Sequence, residues 1–180
     1  MILKFTLILP LLTLLLLGSS LIFAQDNEEI EYVEVEIDFS MDIPEELSEY
    51  DESWIKVKYG GENAPDIVYG NEIGSVTIGI SFYVEPLDKS DLSEFAYASK
   101  MELVASGVEW ISSNREFING RSTELLRFYS ESTDGPTIYN IIAFFIFDGE
   151  LVIVTFNCLK SDELEWRESL DAIVHTIEIG

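Results

Sequence analysis

Four acidic side chains at near-alternate positions, Glu34, Glu36, Asp38 and Asp42, come closest to a pattern that could do chemistry. On a strand, alternate residues lie about 6.5–7 Å apart on one face, so these carboxylates would form a ladder. Such a ladder can share calcium with a loop carboxylate, since calcium accepts many loosely placed oxygens. A solvated edge strand, whose charges block edge-to-edge pairing, is the simpler expectation.

Other chemistry-bearing residues are few. His175 is the only histidine, so a His-rich metal site is excluded. It falls near the end of the last expected helix, where a protonated ring would favour the helix dipole. Cys158 is alone, so the chain holds neither an intrachain disulfide nor a C-x-x-C pair. Its place at the end of an apolar run predicts a buried thiol. There is no P-loop, no G-x-G-x-x-G, no EF-hand loop and no G-x-S-x-G nucleophile setting. The pairs Glu28-Glu29 and Glu45-Glu46 are too ordinary to suggest general acid–base work, which needs one carboxylate held in an apolar pocket. No catalytic or cofactor-binding residue is therefore assigned. Trp54, Tyr59, Tyr69, Trp110, Tyr129 and Trp166 lie in mixed contexts; the leading expectation is core, with binding hot spots as the alternative.

The chain has 180 residues, 34 acidic and 10 basic, for a formal net charge of −24. So acidic a surface repels nucleic acid and anionic lipid, and favours cations or a protein partner with a basic surface. The bland reading of the charge is solvation in salt or at high pH.

Residues 1–24 read as a signal peptide: Lys4 is the positive start, Phe5–Leu17 the apolar run, and Ala24–Gln25 the expected cut. The rival is an uncleaved anchor, since Phe5 to Ala24 is about long enough to span a bilayer. No cysteine follows the apolar run, which excludes a bacterial lipoprotein's lipid attachment. Residues 25–32 form an acidic segment, and residues 33–180 are the size of one domain.

Several elements must position whatever the domain does. Val33 to Ile43 alternates as a half-buried strand ended by Pro44, and Pro44 to Leu47 reads as a short helical turn. Ser53–Tyr59 (SWIKVKY) alternates too and predicts a strand, with Trp54 and Lys56 opposite Ile55 and Val57. Ile67–Tyr69 and Val76–Val84 are the next strands, with Gly79 marking a bulge or a close approach. A helix capped by Asp88 or Ser90 should turn Leu92, Phe95, Ala96, Ser99, Leu103 and Val104 inward and end at Gly107.

Two hairpins follow. Asn119-Gly120 predicts a type I′ turn in which facing residues sum to 239, setting Ile118 beside Arg121, Arg115 beside Glu124, Ile111 beside Phe128 and Trp110 beside Tyr129. Asp148-Gly149 predicts the central hairpin, with Phe147 facing Glu150 and Ile141 facing Phe156. Its apolar runs do not alternate, so both faces need cover. Ser161 or Asp162 should cap a last helix with Leu164, Leu170, Ile173, Val174 and Ile177 inward. These elements make an α+β domain of antiparallel strands with two main helices.

Phe39-Ser40-Met41-Asp42-Ile43-Pro44-Glu45, the Asn119-Gly120 turn, the hairpin across Asp148-Gly149 and the closing stretch Phe156 to Ile179 carry a family likeness. Together they resemble the PsbP-like fold family of photosystem II extrinsic proteins, Ran-binding Mog proteins and bacterial secreted domains of unknown function. The resemblance covers the whole mature chain. It implies an α/β/α sandwich with a central antiparallel sheet, and protein binding rather than catalysis. The resulting expectation is a secreted or envelope-associated, non-enzymatic binding or accessory domain. A calcium-linked acidic envelope protein is the alternative, and a hydrolase ranks third.

Overall fold

The structure is a computed structural model, and it describes residues 39–60, 64–83, 90–131, 135–147 and 149–179. Seven antiparallel strands lie in the order β2 (Ser48–Glu49), β3 (Ile67–Gly70), β4 (Val76–Tyr83), β8 (Glu150–Leu159), β7 (Thr137–Phe147), β6 (Arg121–Glu131) and β5 (Glu109–Ile118). A separate ribbon joins β1 (Phe39–Ser40) to β9 (Glu178–Ile179). The described residues also form three helices: α1 (Glu52–Tyr59), α2 (Leu92–Ala105) and α3 (Glu163–Val174).

The β7–β8 hairpin is central. Its register sets Phe147 opposite Glu150, Phe145 opposite Val152, Ala143 opposite Val154 and Ile141 opposite Phe156, as a two-residue turn dictates. Gly149 has φ +88°, the left-handed backbone that glycine tolerates; Asp148 lies outside the described residues. Because side chains alternate across a strand, Tyr139, Ile141, Ala143, Phe145 and Phe147 pack with Leu170, Ile173 and Val174 of α3. Ile142, Phe144 and Ile146 pack instead with Leu92, Phe95, Ala96 and Leu103 of α2. The absence of polar alternation in these strands is thus explained by a helix on each face. Full burial of one phenylalanine contributes about 1.5–3 kcal/mol, and Phe144 and Phe145 are both buried.

Ser53–Tyr59 is a helix, not the expected strand. The Asp51 carboxylate accepts the Trp54 N–H at 2.9 Å, capping the first turn. The alternation misled because only Ile55 faces inward, whereas Val57 is 87% exposed. Pro44 to Leu47 forms one hydrogen-bonded turn, Leu47 N–H to Pro44 O at 3.0 Å. At Gly79 a Cβ would sit 2.8 Å from Thr155 Oγ1 and 3.1 Å from Pro65 Cγ, so this is a close approach in a regular ladder.

Helix α2 starts after Asp91, and the expected cap Asp88 lies outside the described residues. It ends with the Val108 N–H on Leu103 O and the Gly107 N–H on Val104 O, with Gly107 at φ +92°. Two residues expected to face inward do not: Val104 lies on the outer side of α2, and Leu164 in the first turn of α3 is fully exposed. Asp162 precedes α3, and Ser161 donates to its carboxylate at 2.7 Å.

The β5–β6 turn has φ +47° at Asn119 and +82° at Gly120, and Ile118 faces Arg121 as expected. The summed register holds as far as Ser112 opposite Arg127 and then fails. A bulge at Ile111 sets Trp110 against Phe128 and Glu109 against Tyr129. One extra residue reverses which face each side chain takes. Trp110 thereby reaches the α2 face, stacked on Phe128 at 6.2 Å and 3°, and Ile111 packs on the α3 side.

Candidate functional site

The acidic ladder cannot be assembled from the described residues: Glu34, Glu36 and Asp38 lie outside them, and Asp42 stands alone. Its side chain is exposed, and its backbone N–H donates to Thr176 Oγ1 at 3.0 Å. Among the described residues no group of three or more histidine, cysteine or acidic side chains is placed to hold a metal ion. His175 forms the C-cap of α3, with Nε2 3.6 Å from Glu116 Oε2 on β5. Cys158 is buried, and burial, followed by the nearby Glu163 and Asp162 charges, pushes its thiol up to about 12. A thiol so placed is no nucleophile at neutral pH.

The α3 face carries charge, but spends it internally. Glu163, Arg167 and Asp171 recur at four-residue spacing along the helix flank above β6 and β7. Arg127 grips the Asp171 carboxylate at 2.7 and 3.0 Å. Tyr129 donates to Glu163, with both carboxylate oxygens within 2.8–2.9 Å, and Arg167 holds the same carboxylate at 2.9 Å. Burial and then this acceptor raise the Tyr129 phenol to about 12. Lys160 lies 4.2 Å from the centre of the Tyr129 ring and Arg167 5.2 Å from that of Tyr139. The fully buried Tyr139 hydroxyl has no hydrogen-bond partner among the described residues. The network pins α3 to the sheet. On the opposite face Thr155 donates to Gly79 O and Asn140 to Ser130 Oγ and Ile138 O, while the buried Ser99 hydroxyl has no partner among the described residues.

Helix α2 differs. Tyr97, Met101 and Val104 are 63%, 49% and 45% exposed. At about 100° per residue they fall within about 60° of one another, forming an apolar stripe on the outer surface. Two residues orient the stripe. Ser93 donates to Glu124 at 2.8 Å, and the Lys100 ammonium lies 3.3 Å from Ser113 Oγ and 4.9 Å from the Trp110 ring centre. Both residues sit on the flank of α2 nearest Tyr97 and Val104, so the stripe leans toward β5.

Among the described residues β5 is the long edge of the sheet, paired there with β6 alone. Phe117, near its end, is 77% exposed on the same face as Arg115 and Ser113. The nearby basic groups are already engaged: Lys100 as above, and Arg115 with Glu124 at 2.7 Å. Glu94 and Glu109 remain exposed, giving the stripe an acidic rim. On the opposite flank of α2, burial holds the Glu102 carboxyl above its ordinary value, and one of its oxygens has no partner among the described residues.

Sequence reading missed Tyr97, Met101 and Phe117 as surface residues. The signal was present in LSEFAYASKMELVA: the apolar set that faces the sheet leaves Tyr97, Met101 and Val104 as a second stripe at i, i+4, i+7. Of the aromatics singled out from sequence, Trp110, Tyr129 and Trp166 pack against the two core clusters. Trp54 in α1 packs against Tyr50 with ring centres 3.7 Å apart and planes tilted by 40°, and Tyr59 and Tyr69 are half-buried.

No family model matches the chain, and no curated protein matches it in sequence. Solved structures do. The cyanobacterial PsbP protein CyanoP from Synechocystis sp. PCC 6803 superposes with a TM-score of 0.58 at 12% identity, covering 87% of this chain and 98% of that one. LpqN of Mycobacterium tuberculosis, described as involved in cell envelope biogenesis, gives 0.53 at 13% identity, covering 79% of this chain and 83% of its own. A protein from Bacteroides thetaiotaomicron gives 0.52 at 14%, covering 79% of this chain and 45% of that one. The fold is therefore PsbP-like, a seven-stranded antiparallel sheet with helices on both faces. No described helix is long and apolar enough to cross a membrane.

Proposed function

We propose that this chain is an extracytoplasmic, non-enzymatic accessory domain that binds a protein partner through the outer face of α2 and the neighbouring β5 edge. The observation that carries the reading is the exposed stripe of Tyr97, Met101 and Val104 on a helix already apolar on its inner side. Apolar residues grouped on an otherwise strongly acidic surface mark an interaction site. Tyrosine and methionine are also enriched at interface centres. The apolar run after Lys4 supports an extracytoplasmic place, and the likeness to LpqN supports the accessory class.

The test is affinity capture from the producing cells with the mature domain and with a Tyr97→Ser/Met101→Ser variant of equal thermal stability. A partner retained by the parent and lost by the variant is the expected result. Equal capture by both would place the binding surface elsewhere.

A further inference from the structure

We infer that β5 accepts an added strand from the partner, and that the segment supplying it is extended, apolar at alternate positions and basic at the positions between. This rests on the reading of the α2 face as the docking surface and specifies how that surface is used. Ile118 and Arg121 flank a two-residue turn and so form a hydrogen-bonded pair. By alternation, Ser112, Asn114 and Glu116 direct their backbone groups toward β6, while Ser113, Arg115 and Phe117 direct theirs outward. Among the described residues no strand takes up those outward groups, so they form a template for one added strand.

The two sides of that position differ in chemistry. On the α2 side an added strand would lie beside Ser113, Phe117 and Arg115, whose guanidinium is held by Glu124, under the flank carrying Tyr97 and Val104, which suits apolar side chains. On the α3 side β5 displays Glu109, Asn114 and Glu116, which suits lysine or arginine. One period-2 segment with apolar and basic faces meets both requirements. A second copy of this chain fits poorly, because each copy carries a formal net charge of −24 and would bring the same carboxylates to the shared edge.

The experiment is amide-resolved NMR of the intact domain with three probes. They are a blocked alternating valine–lysine heptapeptide, the same peptide with methylated backbone nitrogens, and a helical leucine–lysine peptide. The expected result is that the first peptide alone shifts the amides of Ser113, Arg115 and Phe117 and slows their hydrogen exchange about tenfold or more. Ser113→Pro should abolish this binding without unfolding the domain, since the nitrogen lost points away from β6; if that variant does not fold, the methylated peptide still decides. A footprint of the helical peptide on Tyr97, Met101 and Val104 without protection of β5 overturns strand addition and leaves the docking face standing. No footprint on either element overturns both. A dimer of the free chain with β5 protected identifies a second copy as occupant and overturns the inference.

Discussion

Helices α2 and α3 cover opposite faces of one sheet, and they differ in what they turn outward. Each buries an apolar stripe on the β7–β8 hairpin. On α3 the outer surface is polar apart from Leu164 and the small Ala172, and the flank is tied down by Arg127, Tyr129 and Arg167. On α2 the outer surface carries Tyr97, Met101 and Val104 beside Glu94, next to an edge strand with an exposed phenylalanine. Equal packing below and unequal surfaces above separate what holds the fold from what it offers to a partner.

The largest expected effects fall on what the two helices share. Phe145→Ala beneath α3 and Phe144→Ala beneath α2 should each cost roughly 3–5 kcal/mol by denaturant unfolding. A loss under about 1 kcal/mol for either would mean that its helix does not seal that face. Next comes the edge hairpin that adjoins α2. Gly120→Val forces a β-branched residue to φ +82° and should cost about 1–3 kcal/mol. Arg115→Ala removes only a half-exposed ion pair and should cost at most about 1 kcal/mol, so the reverse order would refute the type I′ reading.

The smallest effect sharpens the contrast electrostatically. Burial raises the Glu102 carboxyl, so its charged form is the costly one in the folded state. Below the ordinary carboxylate range both folded and unfolded forms are neutral and no cost is present. The cost grows as pH rises to the raised folded value and is full above it. Glu102→Gln should therefore raise the melting temperature slightly at neutral pH, and the gain should vanish in acid. A gain that persists unchanged in acid would assign the effect to something other than the carboxylate charge.

Much of the fold was legible because its signals are local. Asn119-Gly120 and Asp148-Gly149 specify two-residue turns, and the turns then set register for most of four strands. The unbroken apolar run Ile141–Phe147 demanded cover on both faces, which α2 and α3 supply. Failures came where a neighbour outside the segment decides. SWIKVKY alternates like a strand, yet Asp51 caps it and only Ile55 finds a core to enter. Trp110 leaves the summed register because the bulge at Ile111 lets it stack on Phe128. The candidate surface escaped for a related reason: a tyrosine, a methionine and a valine on a helix read as core until the sheet fixes which side is inner. Of the three, Val104 alone carries a sequence expectation, an inward one, and it faces outward.

The claim that α2 carries the recognition surface is tested most directly by photo-crosslinking in the producing cells. A photoreactive residue is placed at position 101 on the outer side of α2, or at position 168 on the outer side of α3. Both positions are exposed, so neither substitution should disturb folding. A discrete crosslinked partner from position 101 and none from position 168 is the predicted result. Crosslinks of equal yield from both positions, or from position 168 alone, would contradict the account.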